Sequence, residues 1–231
     1  MSSRRHATVT TERQLKAAAV MLAEQCKIMS RILKRTGLPP RRDFPADFSG
    51  LAKIIVGQQL SAQSAAAIWG RLAGALYPFT AETIDATSDD NLKQLGLSGG
   101  KIRTLRALSL AVLDDNLDFE ALNIADNHII VERLTAIHGI GPWTADIYIL
   151  FALARRDAFA PGDLALQLAV QHHFKLERRP TAEELEKIAE RWRPARAVAA
   201  QLLWADYAFA RRALLGKAQK TIPPKIAKSL K

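Results

Sequence analysis

The chain has 231 residues, 48% of them hydrophobic, enough for a sizeable core in one large domain or two small lobes. Cys26 is the only cysteine, which excludes an intramolecular disulfide and any cysteine-ligated zinc or iron–sulfur site and makes a reducing cytoplasm the expected compartment. Its 33 Lys and Arg against 23 Asp and Glu give a net charge of +10, with +7 in residues 1–45, +7 in residues 211–231 and −4 in residues 46–210. Such a balance points to a polyanionic partner that the body touches through backbone amides and a few placed side chains, while the two ends supply long-range attraction. No run approaches the roughly 18 apolar residues of a membrane span, and no apolar segment follows the first residues, so neither insertion nor export is expected.

Residues 1–10 read as disordered. From Thr11 to about Arg35, the spacing of Leu15, Ala18, Ala19, Leu22, Cys26, Met29 and Leu33 predicts one amphipathic helix, ended by Gly37-Leu38-Pro39-Pro40. Ser49 is placed to cap a helix ending near Gln58, and Ser61 to cap the next, which carries Ala65, Ile68, Leu72 and Leu76. Between them, Val56-Gly57-Gln58-Gln59-Leu60-Ser61 is a tight junction whose paired glutamines either cap helix ends or hydrogen-bond bases. Ser88 opens a short helix through Leu95, and Gly96-Leu97-Ser98-Gly99-Gly100-Lys101 leads into a helix over 102–113. There Ser98 is either a simple N-cap or, with the glycines and Lys101, part of a backbone phosphate contact. Asp126 is expected to cap a helix through Ala136.

That helix stops at Ile137-His138-Gly139-Ile140-Gly141, and Pro142 stands where a new helix would begin, its missing N–H being no loss there. The pattern is a helix-hairpin-helix. Glycines let the amides of the turn reach an anion, and the second helix adds the positive end of its dipole. A DNA phosphate fits this nest, with Gly139, Ile140, Gly141 and Thr144 as the expected contacts. The second helix should run to about Arg155, and Ala158–Gly162 should turn into another with Asp163 in its first turn. Thr181 and Glu184 form a capping box, and residues 191–196 break the chain before a last helix over 197–214. No stretch alternates with period two, so the fold class is all-α. The chain divides into a basic N-terminal extension with a helix (1–45), a first helical lobe (46–135), a hairpin and catalytic region (136–210) and a basic tail (211–231). The histidines His138, His172 and His173 show no metal-ligand spacing with other residues.

Four motifs in this order resemble those of the helix-hairpin-helix (HhH-GPD) DNA glycosylase superfamily, in its alkylpurine branch of 3-methyladenine DNA glycosylase II type. They are residues 55–61, 137–145, 161–163 and 190–196 with Trp204, and the resemblance covers about residues 45–210. It implies a two-lobed helical fold with an active-site cleft between the lobes, compact and without the N-terminal β-rich domain of larger members. It also implies a monomeric, monofunctional enzyme acting on double-stranded DNA that contains alkylated purines, in the cytoplasm at the nucleoid. Asp163 takes the place of the catalytic acid, Gln59 that of the wedge entering the gap left by the extruded nucleotide, and Trp143 and Trp204 match aromatic positions in or beside the base pocket. Gln58, Ser61 and Arg196 fall within the motifs without so clear a role. No cofactor is required; family hairpins can hold Na+ or K+ through backbone carbonyls, here of Thr135, Ile137 and Ile140.

The chemistry agrees with those residue types. Breaking the bond between a purine and deoxyribose develops positive charge on the sugar, so a fixed carboxylate near C1′ and a path for water are needed. Alkylated purines already carry positive charge, leave easily and would be drawn to electron-rich indoles by cation–π contact of about 0.5–2 kcal/mol each. Two other classes fit less well. A non-catalytic helix-hairpin-helix binding module would not need Asp163, and a glycosylase for oxidised or mismatched bases would usually carry a hairpin lysine or four cysteines, where this chain has Trp143 and one cysteine.

Overall fold

The computed structural model describes residues 6–42 and 44–220. In chain order the α-helices are α1 (Glu12–Gln25), α2 (Lys27–Thr36), α3 (Phe48–Gly57), α4 (Ala62–Ala75), α5 (Ala81–Ala86), α6 (Asp89–Gln94), α7 (Gly99–Leu113), α8 (Phe119–Ile124), α9 (Asn127–Thr135), α10 (Pro142–Ile147), α11 (Leu164–Phe174), α12 (Ala182–Ala189) and α13 (Arg196–Lys220). A π-helical turn, Tyr148–Ala152, follows α10, and a 3-10 turn, Glu190–Trp192, precedes α13. Among the described residues the only extended pairing is an isolated antiparallel bridge between Thr8 and Arg155. The fold is all-α, as the sequence predicts.

Helix starts follow from short polar side chains that satisfy otherwise orphaned amides. Ser61, Ser88, Ser98 and Thr181 cap α4, α6, α7 and α12 as expected, the last in a full capping box with Glu184. Helix α3 differs: Asp47, not Ser49, is its cap, accepting from the Gly50 amide at 3.0 Å and from the Ser49 hydroxyl at 2.8 Å. The single helix predicted over 11–35 is two, because Cys26 takes an extended conformation (φ −137, ψ 113) between α1 and α2. Apolar spacing could not mark that break, since Leu22 before it and Met29 after it are both fully buried. The helix begun at Pro142 also ends early. Its ladder widens until the Leu153 amide reaches the Tyr148 carbonyl at 3.1 Å, and Ala154 then leaves it with φ +48.

Residues 6–10, expected to be disordered, are ordered by that early ending. The backbone of Ala154 and Arg156, outside any helix, finds its partners there: the Val9 amide donates to Ala154 O and the Arg156 amide to Ala7 O, both at 2.8 Å. Residues 1–5 and 221–231, parts of the expected basic ends, lie outside the described residues.

The helices form two compact units, one of residues up to Val9 together with Arg42–Ala160, the other of Thr10–Arg41 together with residues from Pro161 onward. The chain therefore passes between units three times, where sequence alone suggested consecutive segments cut at 45, 135 and 210. Periodicity shows that a helix has an apolar face; it does not show which helix covers it. In the first unit α3 is the buried centre, with Leu51, Ala52, Ile55 and Val56 wholly enclosed among α4, α7, α10 and the π-turn. In the second, the first turns of α13 bury Ala197, Val198, Ala199, Ala200, Leu202 and Leu203 against α1, α2 and α11. Asp206 is buried on the same helix and accepts from Arg35 of α2 and from His173 of α11 at 2.7 Å, so its charge is paired on both oxygens.

Candidate active site

In the first unit, α7 braces the turns that the sequence marked for DNA. Gly139 has φ +83, and a Cβ there would lie 1.9 Å from Oγ1 of Thr104, a buried residue of α7. Glycine is thus required twice over, by the left-handed backbone and by the close approach of the hairpin turn to the helix. Gly141 is different: a Cβ added to it meets nothing within 4 Å, so its bareness keeps an open side open. Among the described residues the amides of Gly139 and Gly141 donate to no other backbone group. The Ile140 amide turns inward to Ile137 O at 3.1 Å and the Thr144 amide to Gly141 O at 3.0 Å, so two amides of this nest, not four, are left for an anion.

Thr144 is also withdrawn as a phosphate contact by its side chain, which is 2% exposed and accepts from Nε2 of Gln58 at 2.9 Å. That bond separates the roles of the paired glutamines. Gln58 turns inward and ties the α3–α4 turn to the hairpin's second helix. Gln59 sits at the apex with φ +57 and is exposed, followed by Leu60, whose amide donates to Gly57 O at 3.3 Å, and by Ser61, whose hydroxyl accepts from the Ser64 amide at 3.1 Å as the cap of α4. An exposed side chain at the apex of a turn is what the expected wedge requires.

The second expected phosphate contact is used internally. Ser98 caps α7, accepting from the Lys101 amide at 3.5 Å, and Lys101 reaches back so that Nζ donates to Val56 O at 2.6 Å, at the C-terminal turn of α3. The ammonium complements the negative end of that helix, and partial burial pulls its pKa below the usual lysine value. Lys101 and Thr104 thereby place the α3–α4 turn and the hairpin turn beside one helix, and the Gln58–Thr144 pair ties the two turns together.

In the second unit, Asp163 is the N-cap of α11 (φ −75, ψ 121) after the turn Pro161-Gly162, whose Pro161 carbonyl accepts from Nε2 of Gln167 at 3.0 Å. Its Oδ1 accepts two hydrogen bonds, from the Leu166 amide at 3.0 Å and from Nε1 of Trp204 at 2.9 Å. One donor belongs to α11 and the other to α13, so the carboxylate plane is set by two packed helices. The sequence places Trp204 in or beside the base pocket; the structure gives its indole N–H to the carboxylate. Trp143 is half-buried at the second position of α10 in the first unit. Arg196 is structural: buried, it donates through Nη1 to Glu186 at 2.6 Å and Glu190 at 3.2 Å, joining α12 and the 3-10 turn to the start of α13.

Among the described residues no three His, Cys, Asp or Glu side chains come together as a metal site. Among the described residues, the hairpin carbonyls of Thr135 and Ile140 accept no backbone amide, and that of Ile137 accepts one, from Ile140. Those oxygens are of the type that suits a hard monovalent cation.

An open glycine turn between two helices and an exposed glutamine at a tight turn in the first unit, with a doubly held N-cap aspartate in the second, are features of an all-α helix-hairpin-helix protein. Residues 52–194 match the family described as HhH-GPD superfamily base excision DNA repair protein, and the chain belongs to that superfamily. Among its relatives, YfjP of Bacillus subtilis, provisionally named as a DNA-3-methyladenine glycosylase, is 27% identical over 180 residues, which span 74% of this chain and 62% of that protein. The fission-yeast (Schizosaccharomyces pombe) 3-methyladenine DNA glycosylase Mag1, solved in complex with abasic DNA, superposes with a TM-score of 0.73 at 28% identity, covering 81% of this chain and 95% of Mag1. The DNA-3-methyladenine glycosidase of Bacillus halodurans superposes with a TM-score of 0.68 at 30% identity, covering 90% and 94%.

Proposed function

We propose that the protein is a monofunctional DNA glycosylase that extrudes alkylated purines of the 3-methyladenine and 7-methylguanine type from double-stranded DNA and hydrolyses their bond to the sugar, acting as a monomer on nucleoid DNA. The observation that carries this reading is the Asp163 carboxylate, fixed by the Leu166 amide and the Trp204 indole at the start of α11. A preorganised anion of this kind stabilises positive charge on C1′ as the base departs, without reorganising at the moment of reaction. Because the base itself is cationic, no general acid is needed to release it. The open amides of the hairpin grip the phosphate backbone, and Gln59 fills the stack once the nucleotide has left it, offsetting an extrusion cost of a few kcal/mol. A monovalent cation held by the carbonyls of Thr135, Ile137 and Ile140 would fix the hairpin's shape and bring positive charge beside the phosphate.

Water is the nucleophile in this scheme. Trp143 stands where strand-cleaving relatives carry a hairpin lysine, and an indole cannot form a Schiff base. Lys175, the next lysine after Asp163, ends α11 on the far side of 11 residues, about 16 Å along the helix. Reaction with methylated DNA in the presence and absence of borohydride, followed by denaturing gels before any alkali, tests this. Free base with intact strands and no trapped adduct is expected; a protein–DNA adduct or alkali-independent breaks would refute it.

A further inference from the structure

The charge of the molecule is divided unevenly between its units. Residues up to Val9 with Arg42–Ala160 hold 12 Lys and Arg against 14 Asp and Glu, whereas Thr10–Arg41 with the residues from Pro161 onward hold 21 against nine. Within the second unit four of these cations are neutralised in place. Arg178 pairs with Glu184, Arg193 with Glu190, Arg196 with Glu186 and Glu190, and Arg35 with Asp206. Helix α2 breaks the pattern. Lys27, Arg31 and Lys34 are exposed, and among the described residues none of them makes a hydrogen bond or ion pair.

Spaced four and three residues apart, these cations share one helical face, opposite the face that buries Met29 and Ile32. Arg35, beside this face, is instead neutralised by Asp206 of α13, and its guanidinium lies 5.8 Å from the centroid of Phe209. Three cations without acidic partners thus line one face of α2. Holding like charges together on a folded surface is unfavourable unless a polyanion neutralises them.

We propose that this ridge, Lys27, Arg31 and Lys34 of α2, is a second DNA-binding surface that takes the phosphate backbone of undamaged duplex. Lys27 to Lys34 spans about 10 Å along the helix, and one strand carries a phosphate for every ~3.4 Å of duplex axis, so the row is long enough to meet more than one phosphate. Helix α2 itself carries no aromatic side chain on which unstacked bases could lie, which favours duplex over single strand. Its role is affinity and steering, so it contributes to finding damage and not to the chemical step. The inference rests on the glycosylase reading only in taking DNA as the polyanion.

The test is K27Q/R31Q/K34Q in the full chain, titrated with an undamaged DNA duplex at several salt concentrations, with R178Q, whose native side chain is already paired with Glu184, as control. Loss of three phosphate contacts lowers the slope of log K against log salt by about 2.7, so that over a fourfold rise in salt the wild type loses about 40-fold more affinity than the variant. Melting temperature and single-turnover base release at saturating enzyme stay as in the wild type. An unchanged salt slope, an equal fall in R178Q, or a greater loss on an RNA duplex than on DNA would overturn the proposal. The titration uses undamaged DNA, so it reads the ridge even if the protein releases no base.

Discussion

Replacing Trp204 by phenylalanine separates two roles that an indole can play in this site. A base would stack on the ring face, but the N–H is committed to Asp163 Oδ1 at 2.9 Å, and the same oxygen takes the Leu166 amide at 3.0 Å. Phenylalanine keeps an aromatic surface and removes one of those two donors. Hydrogen bonds to a charged group contribute about 1.5–3 kcal/mol. Trp204 is half-buried, so water would partly replace the lost donor and the low end of that range applies. About 1.5 kcal/mol of misplaced transition-state stabilisation corresponds to a roughly tenfold slower chemical step. Single-turnover release of alkylated base at saturating enzyme measures that step, and titration of an abasic duplex measures binding separately. W204F should lose about tenfold in rate with abasic-site affinity unchanged, whereas Trp204→Ala should lose both. If W204F keeps the wild-type rate, the hydrogen bond does not position the carboxylate and Trp204 acts only as a surface for the base.

The two hairpin glycines should respond in opposite ways. G139A meets both a left-handed φ and Thr104 at 1.9 Å, and should lower stability by about 1–3 kcal/mol, read as a fall in Tm; G141A has room for its methyl and should leave Tm unchanged while weakening duplex binding. Equal effects of both on Tm would contradict the assignment of one glycine to packing and the other to the phosphate. Gln59→Ala should weaken binding to an abasic-site analogue more than to intact duplex, because a wedge acts only once the base has left the stack; equal loss on both would reduce Gln59 to a turn former.

What the sequence reveals here depends on whether the signal is local. Thr181 and Glu184 announce a helix start three residues apart, and Pro161-Gly162-Asp163 places a carboxylate at a helix N-terminus, because caps are chemistry between near neighbours. The break at Cys26 is invisible, since the apolar stripe continues through it on both sides. Lys101 and Thr144 look like phosphate contacts until the fold supplies Val56 and Gln58 as their partners, from positions 45 and 86 residues away. The same limit hid the link between Trp204 and Asp163, 41 residues apart, and the joining of residues 10–41 to the chain beyond 160.

The central claim is that Asp163 drives hydrolytic release of alkylated purines, and the direct measurement is chromatography of the free bases liberated from methylated double-stranded DNA by wild type and by Asp163→Asn. The substitution removes the charge and keeps the shape of the side chain. Wild type should release 3-methyladenine and 7-methylguanine, and the variant should bind the same duplex with a rate of release lower by about 10²–10³. No free purine from the wild type, or equal rates from both proteins, would contradict the account.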